Sequence, residues 1–158
     1  MTAGEPSVET CPECGAPRVN GLSCWDQLGQ LLAWEVDDAE LREVHFLTVA
    51  SYNLQHPAQF TDDAIAGLRQ SYIDYLDRGI SIAEIRRRAS SAFEGAKRVR
   101  RDEASIRPVL RTWPMTIAAV YDGARPDGAA ERVRRWARAI RSTLDPSEAR
   151  ATSRSPDT

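Results

Sequence analysis

The sequence predicts an all-α protein, a small helical bundle of about five to six helices with a zinc-knuckle-like loop at its N-terminal end. Three observations carry that expectation. Apolar residues recur at spacings of three and four with no sustained alternation. Capping and stop residues punctuate them. All three cysteines fall ahead of or at the first helical pattern, as Cys11-Pro12-Glu13-Cys14-Gly15 and then Cys24. At 158 residues, one helical domain over 11–144 is expected, with mobile polar ends at 1–10 and 145–158.

The first helix is expected from Ser23, an N-cap with Asp26 completing an acidic capping arrangement, to about Glu35, with Cys24, Leu28, Leu31 and Leu32 inward. Asp37 and Asp38 then cap a second helix running unbroken to about Gln55, whose inner face carries Leu41, Val44, His45, Thr48, Val49, Tyr52 and His56. Pro57 ends it by disfavouring helical geometry at His56. A third helix begins at Thr61, with Asp62 and Asp63 in its first turn, and stops at Gly79, burying Ile65, Leu68, Tyr72, Ile73 and Leu76. Ser81 with Glu84 opens a fourth, whose stripe is Ile82, Ile85, Ala89, Ala92, Phe93 and Ala96. Pro108 and Pro114 bracket a connector whose Val109, Leu110 and Trp113 are expected to lie over the bundle. A short helix over Thr116–Tyr121 and a loop at 123–128 lead to the last helix, Ala129–Leu144, with Val133, Trp136, Ala137, Ile140 and Leu144 on one side and five arginines on the other.

Composition excludes several classes. Net charge is −2, which argues against a globally basic nucleic-acid binder. No apolar run approaches the roughly 20 residues of a membrane span, and Met1–Thr10 lacks the pattern of a signal peptide, so a cytoplasmic, reducing setting is expected. Charge is divided along the chain: residues 1–45 hold nine acids and two bases, residues 86–111 nine bases and three acids. Such segments either meet inside the fold or face partners of opposite sign.

In a reducing compartment a cysteine cluster reads as a metal site before it reads as a disulfide. A Cys-x2-Cys turn followed by Gly lets two thiolates converge, and Cys24 at a helix start sits where the helix dipole favours a third. Three soft donors suit zinc, with iron a second choice. A free or redox-active dithiol is the competing reading. A thioredoxin-like role lacks the preceding strand, and a zinc deaminase lacks its His-x-Glu motif.

The chain has two histidines, His45 and His56, 11 residues apart on one helical stripe. Their Cα atoms lie about 16 Å apart in a continuous helix, beyond the roughly 13 Å two imidazoles on one zinc allow. If the first hairpin turns near Asp37, the chain passes Cys24 near Val49, between the two. Helical side chains lean toward the N-terminus, so His56 leans toward Cys24 and His45 away. His56 is therefore the preferred fourth ligand and His45 the runner-up, with Glu35 and Tyr52 as supporting groups; the unused histidine is expected to be a core imidazole hydrogen-bonded to a neighbour such as Glu35 or Tyr52.

The pattern Cys-Pro-x-Cys-Gly, Cys24 with Leu31-Leu32-Ala33-x-Glu35, and His45-x-Leu47-Thr48-Val49-x-x-Tyr52-x-x-Gln55-His56-Pro57 resembles an uncharacterised bacterial family, domain of unknown function 5946. The resemblance covers residues 11–57, with an echo at Val133-x-x-Trp136-Ala137. It implies a small protein with a metal knuckle and no established reaction. The family's final helix often ends in a His-His pair and an aromatic residue, which this chain lacks beyond Leu144.

Three readings of function follow. A closed Cys3His zinc site would be structural, and the protein would act through a surface offered to a protein partner. Three cysteines alone would leave an open position for catalysis near His45, His56 and Glu35, but three thiolates make a poor Lewis acid and no catalytic motif accompanies them. Nucleic-acid or anion contact through Arg86, Arg87, Arg98 and Arg101 is disfavoured by the acidic balance and the lack of interleaved aromatics.

Overall fold

A computed structural model describes residues 9–92 and 99–144. Among them the chain forms seven α-helices: α1 Cys24–Trp34, α2 Ala39–Glu43, α3 His45–Gln55, α4 Asp62–Arg78, α5 Ile82–Ala92, α6 Ile117–Tyr121 and α7 Ala129–Thr143. Single 3-10 turns occupy Pro57–Gln59 and Glu103–Ser105. Extended pairing is confined to the isolated bridges Thr10 with Pro17, Val19 with Leu22 and Phe60 with Arg100. The chain is all-α, as its periodicity predicts.

The local signals explain most of the boundaries. The Ser23 hydroxyl accepts from the Asp26 amide while the Asp26 carboxylate accepts from the Ser23 amide, closing a reciprocal cap on α1. Thr61 caps α4 and Gly79 ends it in the left-handed region at φ +66°. The Ser81 hydroxyl accepts from the Glu84 amide at the head of α5.

Two expectations about the course of the chain fail. The second predicted helix is two helices, broken at Val44, whose φ of −101° and ψ of 16° leave the helical region. The break lets α2 turn onto α7 while α3 packs between α4 and α7. It is invisible in the sequence because Leu41, Val44 and Leu47 are all buried, so the spacing of three runs through it. The second failure is the connector: Trp113 is buried, but Val109 and Leu110 are 74% and 62% exposed. Of the expected tails, Glu9 and Thr10 pair instead with residues 17 and 18. Residues 1–8 and 145–158, with Phe93, Ala96 and the stripe's continuation to Lys97, lie outside the described residues.

The centre of the body is α7, with Val133, Trp136, Ala137 and Ile140 at 0% exposure. It packs against α2, α3 and α6, and α1 lies on α6, where Trp34 and Tyr121 stack at 5.7 Å. On the other side α4 covers α3, with Phe46 edge-on to Tyr75 at 5.2 Å.

Polar struts fix the register of these helices. The Gln55 amide donates to the Met115 carbonyl at 2.8 Å, and its oxygen accepts from the Trp136 indole at 3.3 Å. The Tyr72 hydroxyl donates to the Ala137 carbonyl at 3.3 Å and meets Ser51 Oγ at 2.9 Å, joining α3, α4 and α7 at one point. Buried groups of this kind are costly unless paired, so each pair selects one alignment.

Near the rim, Asp74 is 5% exposed and bonded to Arg88 of α5 at 2.8 Å, and Arg141 of α7 grips Asp77 at 2.7 Å. The hydrogen bond from Arg88 holds the Asp74 carboxyl below its ordinary value, and that from Arg141 does the same for Asp77. Their stabilising effect is present above the unfolded value of about 3.9 and is lost as pH falls through the lower folded value. The urea midpoint should therefore drop on acidification below about pH 4, and Asp74→Asn should flatten that acid limb. Tyr72→Phe removes the buried hydroxyl that meets Ser51 and the strut to the Ala137 carbonyl, for an expected loss of about 1–3 kcal/mol in urea unfolding at neutral pH.

Candidate metal centre

The loop from Cys11 to Ala16 is built to turn two sulfurs the same way. The Cys11 amide donates to the Ala16 carbonyl at 2.9 Å and the Gly15 amide to the Cys11 carbonyl at 3.0 Å. Gly15 sits at φ +77°, where a side chain is strained. The turn aims backbone amides at sulfur: Glu13 and Cys14 at Cys11 Sγ, both 3.5 Å, and Ala16 at Cys14 Sγ, 3.4 Å.

A second tight turn delivers Cys24. Val19 and Leu22 exchange both backbone bonds around Asn20 and Gly21, each at positive φ, the geometry of a two-residue hairpin. Gln27, fully buried, donates its amide to the Pro17 and Leu22 carbonyls at 3.2 and 3.0 Å and ties this loop to α1. Cys24 is then the first residue of α1, among its unpaired amides.

His56 enters from the far end of α3, where it closes the helix at φ −129°. Its Nδ1 donates to the Tyr52 carbonyl at 2.7 Å, which assigns the tautomer and leaves Nε2 as the free electron pair. The Tyr52 ring stacks on the imidazole at 4.0 Å, with its hydroxyl 3.7 Å from Cys24 Sγ. Nε2 lies 3.4 Å from Cys24 Sγ and 3.5 Å from Cys11 Sγ. The four donor atoms of Cys11, Cys14, Cys24 and His56 all lie within 4.8 Å of one another.

The donor set and its spacing fit a metal ion. Zinc bonded tetrahedrally to sulfur and imidazole nitrogen places neighbouring sulfur and nitrogen about 3.6 Å apart. The two measured separations, 3.4 and 3.5 Å, are close to that. Without a cation the cluster shares protons among its own members. Hydrogen bonds from Cys14, then from His56 and Tyr52, hold the Cys24 thiol down at about 4, and the same bond together with burial pushes Cys14 up. Burial alone would lower His56, but its bonds to Cys24 and the Tyr52 carbonyl outweigh that and raise it to about 9. A cation bound by these sulfurs and by Nε2 would take the place of protons on the cluster.

Glu13, 9% exposed, was not among the expected supporting groups. Its carboxylate accepts from the Ala58 amide at 2.9 Å, just past His56, and its carbonyl accepts from the Arg111 amide at 3.1 Å, joining loop, α3 and connector. The Asn-Gly pair and a glutamine at an inward-facing spacing of α1 are the sequence signals that point to the other supports.

His45 and Glu35 are elsewhere. The two helices run antiparallel, so the end of α1 meets the start of α3, and the Glu35 carboxylate grips His45 Nδ1 at 2.8 and 2.9 Å far from the cysteines. Glu35 therefore does not support the cluster, and the His45 side chain is 55% exposed rather than inward-facing. The level of Cys24 is reached at Tyr52 and His56 rather than Val49, because the break at Val44 displaces the return of the chain.

Of the arginines expected at an anion surface, those among the described residues are placed as follows. Arg86 is exposed on α5, Arg87 pairs with Glu84, and Arg101 bonds the Phe60 carbonyl and Asp62. Arg98 lies outside the described residues. Among the described residues no helix is long and apolar enough to cross a membrane.

The chain belongs to a family of unknown function, DUF5946, whose model matches residues 9–145 and so takes in the loop and the whole described body. No curated protein and no solved structure matches it.

Gly15→Ala tests the loop by itself. A Cβ there would meet only Leu110 Cδ1, at an ordinary 3.6 Å, so the effect is purely conformational. Urea unfolding should show a loss of about 1 kcal/mol.

Proposed function

We propose that Cys11, Cys14, Cys24 and His56 hold one zinc ion as a structural cross-link, and that the protein is a metal-pinned helical module acting through a surface offered to a protein partner. The observation that carries the reading is His56 Nε2 at 3.4 and 3.5 Å from two sulfurs, at the corner an open catalytic site would leave for water. With four protein donors the ion contributes folding energy, because the unfolded chain has no such site. It would join a loop with little apolar core of its own to both α1 and α3. A catalytic reading loses its remaining groups, since His45 and Glu35 bond each other at the opposite end of α3. A nucleic-acid reading is weakened by the carboxylates already engaging Arg87, Arg88 and Arg101. The partner reading draws on apolar groups left at the surface of α1 and just beyond it, Trp25 at 65% and Val36 at 75% exposure.

Elemental analysis of protein purified without added metal should find about one zinc per chain. His56→Ala and Cys24→Ser should lower that occupancy strongly, and His45→Ala should leave it unchanged. A strong chelator should broaden or shift the amide resonances of residues 9–24 while those of α7 persist. Metal-free protein with an ordered 9–24 loop would sink the reading.

A further inference from the structure

The four donors are not equally sealed. Cys14, Cys24 and His56 are 2%, 7% and 7% exposed, whereas Cys11 is half-buried. A cleft of about 400 Å³ opens on that side, walled by Thr10, Cys11, Arg18, Ser23, Cys24 and Trp25. Cys14 and His56 do not line it. One side of the sulfur cluster is therefore reachable by a small molecule while the other is packed against the body.

We propose that Cys11 is a modification site for hydrogen peroxide, which enters this cleft, oxidises the cluster to a disulfide and so releases the cross-linked loop. The inference rests on the zinc reading above. Cys11 Sγ already accepts two backbone amides and would be kept as a thiolate by the ion, which is the nucleophilic form. In the first step the Cys11 sulfur attacks one peroxide oxygen, the O–O bond breaks, and hydroxide departs, leaving a sulfenic acid. A second cysteine sulfur, within 4.8 Å, then attacks the Cys11 sulfur and expels a second hydroxide. Two thiolates lose two electrons, the peroxide gains them, and two protons from solvent complete two waters. Cys24 shares the cleft wall and Cys14 shares the turn, so each is placed to act as the second sulfur. One thiolate and His56 remain, too few donors to keep the ion in place.

The test uses the full-length zinc-loaded protein and hydrogen peroxide. Released zinc is followed with a chromogenic chelator too weak to strip the untreated protein, alongside free-thiol counts and peptide mapping without reduction. The expected result is release that is first order in peroxide, loss of two thiols per ion, a disulfide that contains Cys11, and recovery on adding a dithiol and zinc. Thr10→Trp, which narrows the cleft without touching a donor, should slow release several-fold. Retained zinc with intact thiols, a Cys14–Cys24 disulfide with Cys11 free, over-oxidation of Cys11 with no disulfide, or an unchanged rate in Thr10→Trp would each overturn the proposal. Protein that carries no metal as purified would instead fail the zinc reading, and this one with it.

Discussion

The residue that closes one helix meets the first residue of another at the point where the N-terminal loop joins the helical body. Residues 9–22 form no helix, and their own backbone bonds close only two small turns. Among their attachments to the body, beside the bonds of Gln27 and Glu13, the central one is the meeting of His56 at the end of α3 with Cys24 at the start of α1 and Cys11 in the loop, at 3.4 and 3.5 Å. Everything around that point keeps the imidazole in place. The Tyr52 carbonyl holds its far nitrogen, the Tyr52 ring covers its face, and Pro57 prevents α3 from carrying it further round. Glu13 then bonds the amide just beyond, so the loop and the end of α3 are fastened on both sides of the imidazole.

The helical body supplies a rigid mount for this junction. The α7 stripe is wholly buried, but apolar packing alone would tolerate sliding of one helix along another. Gln55, one residue before His56, is bonded both to the connector and to Trp136 of α7. The position of His56 is thus transmitted from the deepest helix through a polar contact that admits a single register. Ser51 and Tyr72 do the same one turn earlier on α3.

Charge plays a more local role than its division along the chain suggests. Among the described residues, the side-chain ion pairs of the arginine-rich stretch run to carboxylates of α4 and α5 rather than to the acidic N-terminal segment. Instead the described arginines reach carboxylates close by: Arg87 to Glu84, Arg88 to Asp74 and Glu84, Arg101 to Asp62, Arg141 to Asp77. Most of these pairs are exposed and contribute little to stability. The Asp74 pair is different, because the carboxylate is buried and joins α4 to the otherwise peripheral α5.

The class of fold, the caps of α1, α4 and α5, the stop at Gly79 and the clustering of three cysteines were legible in the residues, since each depends on a side chain acting on backbone within a few positions of itself. The orientation of His56 was partly legible too, because the lean of a helical side chain is a local property. The break at Val44 was not, as buried residues keep the same spacing on either side of it and only α7 and α4 dictate where each half must lie. The pairing of Glu35 with His45 was legible as one of two partners expected for the histidine left off the cluster, but the burial of Glu13, Gln27 and Gln55 was not. Buried polar side chains are in the main paired, and the partners of Glu13 and Gln55, at Ala58, Met115 and Trp136, come from distant segments that folding alone brings near, while Gln27 reaches Pro17 and Leu22 only through the turn between them.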